Sequence, residues 1–405
     1  MSRPEQSFRL PLPTAGPLEA PTEWKEMRGR CPVAAVELPS GDKATYLTRY
    51  HDVRTLLSDP RFTRPTAQDN AARIAPDGAG GPVANGDPSL IGAQTGETHM
   101  RQRRLLSKHL TAKRVTTLRP SMVAIADSLI DDMLEHGQPA DLKAKIGFPL
   151  PVYVICDLLG VPVQDRDRFS HWSNAFLNVS RYSADEARAS QAEFAQYMSE
   201  LIVAKRARPS EDLLSALIKD NEADGDGLSE AQLVGVGMGL LVAGHETTTN
   251  MIGKMVAMLL AERTHWEQLL ADPSLVRTAV DETLRFDPNS GFGLRRYLTD
   301  DVDLGGELVP SASTVFCSLS AANRDEQTFA EPDRMDLSRT PNPHLAFGAG
   351  PHSCLGQTLA RAELQIVLEA LLRRLPTLRL AQPVEELRRL DGLLVGGLQE
   401  VPVRW

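Results

Sequence analysis

Three short stretches of this chain gather residue types that do chemistry. "FGAGPHSCLG", residues 347 to 356, sets Cys354 in a frame of glycines with His352 two places before it. "AGHETTTN", residues 243 to 250, places an acid and three hydroxyls after a run of apolar residues. "VDETLRFDP", residues 280 to 288, spaces Glu282 and Arg285 three residues apart.

Behind Cys354, Leu364, Val367, Leu368, Leu371, Leu372 and Leu375 recur at helical spacing. Cys354 therefore stands at or just before a helix N-terminus. Unpaired N–H groups and the helix dipole favour an anion there and lower a thiol's pKa. Such a thiolate is a nucleophile or a metal ligand. A nucleophile needs a base, and bases usually come from distant parts of a chain, whereas His352 is two residues away. The serine-elbow spacing is also absent. The ligand reading accounts for the glycines, because Gly348, Gly350 and Gly356 let backbone approach a large flat group.

In "AGHETTTN" the polar side chains follow a buried stretch and need partners. A threonine can bond back to the carbonyl four residues earlier and loosen the helix, opening room beside Gly244 for a small ligand or a water. His245 and Glu246 suggest a zinc-protease helix, but that motif needs a second histidine where Thr249 stands. Glu282 and Arg285 share a helix face. Taken alone, they read as a surface ion pair worth under ~1 kcal/mol.

The elements that must position these residues are legible in outline. Ser229 and Gln232 have capping-box spacing, and the helical pattern runs from there to about Arg263, ~50 Å. Its first half is apolar all round, which predicts burial. Gly235, Gly237, Gly239 and Gly244 lie within it and predict close packing or a flat ligand. Near the start, "PVAAVEL" and "ATYLTRY" read as a hairpin across "PSGDK", followed by a helix at "DVRTLLSD". Residues 64–98 are rich in Gly, Pro, Asp and Asn and predict a mobile lid loop. From about 98 to 288 the pattern is mostly helical. Beyond it, "DVDLGGELVP" and "STVFCSLSAA" read as strands, and the tail as a hairpin turning at Gly396-Gly397. "DNEADGDGLSE" fails as a calcium loop, since a loop begun at Asp220 ends on Ala231 rather than a glutamate. With no repeat and no linker, the expectation is one domain over 1–405, mainly α with a smaller β region, opened by an extended segment at 1–30.

The bulk numbers exclude several classes. The net charge of -9 disfavours a nucleic-acid binder. Four cysteines without a CxxC pair argue against a structural zinc site or a disulfide framework, and for a reduced, intracellular protein. The N-terminus lacks a signal-peptide core, and the longest apolar run, 233 to 244, is well short of the ~20 residues that span a bilayer. A soluble cytoplasmic protein is expected.

Taken together, the motifs resemble those of the cytochrome P450 family, especially its soluble bacterial (actinobacterial-type) members. "FGAGPHSCLG" is similar to the haem loop, "AGHETT" to the oxygen-binding helix, and "ETLR" to the Glu-x-x-Arg pair. "AEPDRM" resembles the segment whose arginine joins that pair, here Arg334. "GETHMRQRR" resembles the propionate-binding segment, here His99 and Arg103, and "RRYLTDDVDLGG" supplies Arg296 in preference to Arg295. The resemblance runs from about residue 30 to the end.

It implies the P450 fold, with haem b between the long central helix and the cysteine-loop helix. Cys354 would be the iron ligand. Glu246 and Thr247 would be catalytic, moving protons to bound O2. His99, Arg103, Arg296 and His352 would meet the propionates, with Phe347, Gly348, Gly356, Ala243 and Gly244 also contacting the cofactor. Glu282, Arg285 and Arg334 would be structural. Ala243, Thr247, Phe292, Leu294, Leu393 and Leu394 would line the pocket for a medium-to-large apolar organic substrate. No reductase unit is present, so electrons from NAD(P)H would arrive through a ferredoxin reductase and a ferredoxin. The basic residues Arg101, Arg104, Lys108, Lys113 and Arg114 offer a docking patch, and the protein would act as a monomer. A peroxide-driven haem-thiolate enzyme, a non-enzymatic haem sensor and a cysteine hydrolase are the competing readings.

Overall fold

The computed structural model describes residues 8–62, 70–76, 96–177, 179–223, 228–287 and 291–405. Helices dominate: α1 (Glu23–Arg30), α2 (Tyr50–Ser58), α3 (Gly96–Ser107), α4 (Ala112–His136), α5 (Pro149–Leu159), α6 (Phe169–Phe176) and α7 (Ala184–Ala207). They continue with α8 (Leu213–Ala223), α9 (Glu230–Ala261), α10 (Arg263–Ala271), α11 (Val276–Phe286), α12 (Leu319–Ala322) and α13 (Gln357–Arg374). A five-residue π-helical turn, Lys143–Gly147, leads into α5.

The central helix α9 is 32 residues long and starts where its cap dictates. Ser229 accepts from the Gln232 N–H, and the Gln232 side chain accepts from the Ser229 N–H. Every residue from Thr248 to Leu260 is buried. Two of its glycines serve close packing: a Cβ at Gly237 would strike Met198 of α7, and one at Gly244 would come 2.7 Å from Ile155 of α5. Ile155 takes the side of Gly244 that a Cβ would fill, while the glycine itself stays partly exposed.

Strands β1 (Phe8–Arg9), β2 (Val33–Glu37), β3 (Lys43–Leu47), β4 (Ala140–Asp141), β5 (Leu294–Tyr297), β6 (Val302–Leu304), β7 (Glu307–Val309), β8 (Thr314–Cys317), β9 (Arg379–Leu380) and β10 (Pro402–Arg404) form three sheets. The largest has the order β1-β2-β3-β8-β5, and its β2–β3 hairpin is the one the turn residues predict. In β5, Leu294 and Arg296 share one face and Arg295 takes the other, as the two-residue period requires.

Two expectations need correction, and a third is mostly beyond the described residues. The opening segment is not extended throughout, because α1 forms at Glu23–Arg30, with Glu23 and Glu26 in its first turn and Arg28 and Arg30 in its last. The tail folds back, but its turn lies upstream of Gly396-Gly397: Leu390 N–H bonds to Gly397 O at 2.9 Å and Gln399 N–H to Arg388 O at 2.8 Å. Its last strand, β10, pairs with β4 and β9, and residues 392–394 bond to 177–180, with Val179 N–H on Gly392 O at 2.8 Å and Leu394 N–H on Leu177 O at 3.0 Å. Gly397 is small because Asn250 of α9 lies against it. Most of the 64–98 loop lies outside the described residues. Its 70–76 portion is packed on the sheet, with Ala72 N–H donating to Thr314 at 2.8 Å and the Tyr297 hydroxyl to Asn70 at 2.6 Å.

Candidate active site

Cys354 lies on the connection into α13, and it alone of the four cysteines is exposed. Burial pushes the thiols of Cys156 and Cys317 up to about 12, so both are inert at neutral pH. Cys354 differs from the sequence expectation in one respect. The crowding of its neighbours raises its thiol pKa, against the downward pull of the Gly356 N–H and of Arg103 and Arg361. The helix terminus acts in the predicted direction, but burial outweighs it. A bare thiol held this way stays protonated at neutral pH. A metal cation deprotonates such a thiol outright.

The loop around Cys354 has little freedom. Its N–H donates to Phe347 O at 2.9 Å, Gly348 N–H to Leu345 O at 2.7 Å, and Ser353 N–H to Gly350 O at 3.0 Å. Gly348 and Gly350 have φ of 70° and 68°, a region that disfavours side chains. A Cβ on Gly350 would also sit 2.5 Å from Leu57 O and Ser58 Cα at the end of α2.

Glu282 and Arg285 brace this loop from beneath. They are fully buried, so the surface-pair reading fails. Arg285 Nε and Nη2 donate to the two Glu282 oxygens at 2.8 Å each. Arg285 Nη1 reaches Asn323 O at 2.8 Å and Pro332 O at 2.9 Å. Asn323 Oδ1 then accepts the Leu345 N–H at 2.7 Å, which carries the brace to the cysteine loop.

The third member of the pair is Arg339, not Arg334. Arg339 Nε lies 3.1 Å from both Glu282 oxygens. The Arg334 side chain is exposed and pairs with Glu331 at 3.0 Å, while its carbonyl faces Arg285 and Arg339. Sequence reasoning also missed Asp281 and Arg361. Asp281 takes Arg361 Nε at 2.7 Å and His344 Nε2 at 3.2 Å, and Arg361 stacks on Phe347 at 4.4 Å. Asp281 borders the ETLR motif, yet nothing in its spacing predicts a partner 80 residues on.

Two of the predicted cationic residues, His99 and Arg103 of α3, reach the cysteine loop. The His99 and His352 rings stack at 3.9 Å, and Arg103 donates to Ser353 at 3.0 Å. Arg296 is 1% exposed and gives Nη1 to Arg295 O at 2.9 Å, leaving buried Nη2 without a partner. Arg295 turns away to Ala72 O. Among the described residues, neither Arg103 nor Arg296 has an acidic partner, and a buried guanidinium with an unspent N–H calls for an anion.

On α9, Ala243 is exposed although it sits mid-way along a buried helix, so the helix borders open space there. Thr247 donates its hydroxyl to Ala243 O at 2.9 Å. Glu246 is buried and accepts from Asn250 Nδ2 at 3.3 Å. An exposed thiol, an open apolar helix face and a buried guanidinium with an unspent N–H fit a flat metal complex with anionic edges. Of the expected pocket residues, Leu294 lies 3.4 Å from where a Gly348 Cβ would be, and Leu394 is partly exposed. Phe292 and Leu393 do not present surface; they are buried at 7% and 5%, Phe292 in the cluster with Phe316 and Tyr46.

The comparisons with known proteins agree with this arrangement. Mycinamicin IV hydroxylase/epoxidase of Micromonospora griseorubida is 43% identical over 384 residues, 94% of either chain. Nocardicin C N-oxygenase of Nocardia uniformis is 41% identical over 386 residues, again 94% of each. The crystal structure of the LnmA cytochrome P450 hydroxylase from the leinamycin pathway of Streptomyces atroolivaceus superposes with a TM-score of 0.90 at 38% identity, covering 98% of this chain and all of that one. The cytochrome P450 family model matches residues 167–395, more than half of the chain. With that match and such identity along nearly its whole length, the chain belongs to the cytochrome P450 family and is a haem-iron, dioxygen-using monooxygenase.

Proposed function

We propose that this P450 inserts one atom of O2 into a C–H or C=C bond of a medium-to-large apolar natural-product intermediate, with Cys354 as the iron's thiolate ligand. The exposed Cys354 thiol on a braced loop, together with the open surface at Ala243, carries this reading. His99, Arg103, Arg296 and His352 would take the haem carboxylates through charge-assisted bonds. Phe347, Gly348 and Gly356 would lie against one face of the ring and Ala243 against the other. When bound, the haem supplies a thiolate-ligated iron at which O2 is activated with two electrons.

The chain's own residues handle the protons. The Thr247 hydroxyl, now on Ala243 O, can turn into the open space and donate there. Glu246, beside it in sequence, replenishes that proton as a positioned acid. Apolar side chains around Ala243, Leu294 and Leu394 exclude bulk water and favour an apolar substrate. Relatives named for mycinamicin IV and nocardicin C support a natural product as the substrate class.

Electrons come from NAD(P)H through a ferredoxin reductase and a ferredoxin, docking at Arg101, Arg104, Lys108, Lys113 and Arg114. In this reading the chain is a single-domain, cytoplasmic monomer; no described helix is long and apolar enough to cross a membrane. The ferrous–CO complex tests the proposal. It should show the red-shifted Soret band of a thiolate ligand, and Cys354→Ala should abolish it. A shifted band that survives that substitution would refute the ligand assignment, and turnover with peroxide but with no ferredoxin system would refute the electron route.

A further inference from the structure

His245 is fully buried, precedes the acid Glu246 on α9, and has no part in the steps above. Its Nδ1 lies 2.8 Å from Leu241 O. A carbonyl only accepts, so Nδ1 carries the ring proton. Burial holds the imidazole pKa below its usual value, against the pull of the Leu241 carbonyl and of any negative charge on Glu246, so the ring is neutral at neutral pH. Nε2 is then a bare lone pair, buried and without a partner.

The nearest acid is Glu246, whose Oε2 is 3.6 Å from that Nε2. Neighbours in a helix diverge in direction, so this approach is not imposed by the backbone. It is too long for a hydrogen bond, and a carboxylate has no proton to share. A protonated carboxyl does, and an Oε2–H···Nε2 bond exists only in that form. The other oxygen, Oε1, is already held by Asn250 Nδ2 at 3.3 Å. Phe148 packs edge-on against the imidazole, with ring centroids 5.9 Å apart. The charged groups acting on this pair come from the π-helical turn and its surroundings. Lys143, whose Nζ is bound to Leu398 O at 2.6 Å, feels Glu246, Asp141 and Arg181.

We propose that His245 is a positioning residue for Glu246, its Nε2 accepting the carboxyl proton so that the acid is kept loaded and turned into the core until it delivers toward Thr247. Loading forms an O–H···N bond with no transfer of charge. Delivery breaks the Glu246 O–H bond, sends the proton to the open site and leaves a carboxylate that solvent re-protonates. The proposal rests on the reading of Glu246 as proton carrier.

Two measurements on the holoenzyme test it. In ¹⁵N-histidine-labelled ferrous–CO protein, the His245 signals, identified by their loss in His245→Phe, should show protonated Nδ1 and unprotonated Nε2. The Nε2 shift should move with pH as Glu246 takes its proton, and Glu246→Gln should abolish that movement. An Nε2–H tautomer, or an Nε2 blind to pH, overturns the proposal without any appeal to activity.

The second measurement is product formed per NAD(P)H consumed, against pH. His245→Phe keeps an aromatic ring against Phe148 but removes the acceptor. The fall in coupling with rising pH should move to lower pH by about one unit, the scale of one buried hydrogen bond. His245→Gln, whose amide oxygen can accept, should restore most of it. A wild-type pH profile in His245→Phe refutes the role. Wild-type coupling in Glu246→Gln refutes the proton-carrier reading beneath it, and the tautomer measurement separates those two failures.

Discussion

Glu282→Gln keeps the shape of a side chain that no water reaches and removes its charge. The carboxylate accepts from Arg285 Nε and Nη2, Arg339 Nε, Asn342 Nδ2 at 3.1 Å and the Asp336 N–H at 2.9 Å. An amide can satisfy only part of this set, because its NH2 must face donors. It also leaves two guanidinium ions without a buried counter-charge. Breaking one partner of a buried pair costs about 3–5 kcal/mol, against a typical total stability of about 5–15 kcal/mol. The loss should show as a lowered denaturant midpoint of the holoenzyme. It should also show as a smaller share of the red-shifted ferrous–CO band, since Arg285 reaches the cysteine loop through Asn323 and Leu345. Glu282→Gln combined with Arg285→Met removes one of the stranded cations, so the double variant should lose less than the two single losses added together. A loss under about 1 kcal/mol in Glu282→Gln, the ceiling for an exposed pair, would refute the argument from burial.

Arg339→Ala should destabilise the protein strongly, whereas Arg334→Ala should leave the thermal midpoint near wild type; parallel melts compare them directly. Gly350→Ala forces a side chain into left-handed backbone and into the end of α2, so haem uptake measured on purification should fall sharply. Asp281 gives a pH dependence with a definite sign. Burial raises its carboxyl pKa, but the bonds from His344 and Arg361 outweigh burial and hold it below the usual value. Its contribution is therefore present above the unfolded-state pKa of about 3.9 and is lost as pH falls through the lower folded value. Asp281→Asn should flatten the acid limb of the stability curve, read as denaturant midpoint against pH.

What the sequence made legible was local. The Ser229–Gln232 box fixes the start of α9 with its own side chains, and the β2–β3 hairpin follows from its turn. The three-residue spacing of Glu282 and Arg285 forces them onto one helix face whatever surrounds them. What it hid depends on distant partners. Arg334 and Arg339 lie five residues apart in a segment without periodicity, and only the packed structure decides which one contributes a guanidinium and which a carbonyl. Gly244 advertises space, and only the packed structure shows that Ile155 from another helix takes the part a Cβ would fill. Gly397 looked like part of a turn because what lies against it, Asn250 of α9, is 147 residues away.

The contact of Gly350 with the end of α2 has a use beyond this reaction. The backbone that presents residue 354 is wedged against Leu57 and Ser58 on one side and tied by its own N–H groups on the other. Its position is therefore set by neighbours and not by whatever atom the side chain offers. Exchanging sulfur for oxygen, selenium or an imidazole nitrogen at that point would vary the donor while the mount stays still. The loop is a fixed socket, in which donor chemistry can be compared without a change of geometry confounding the result.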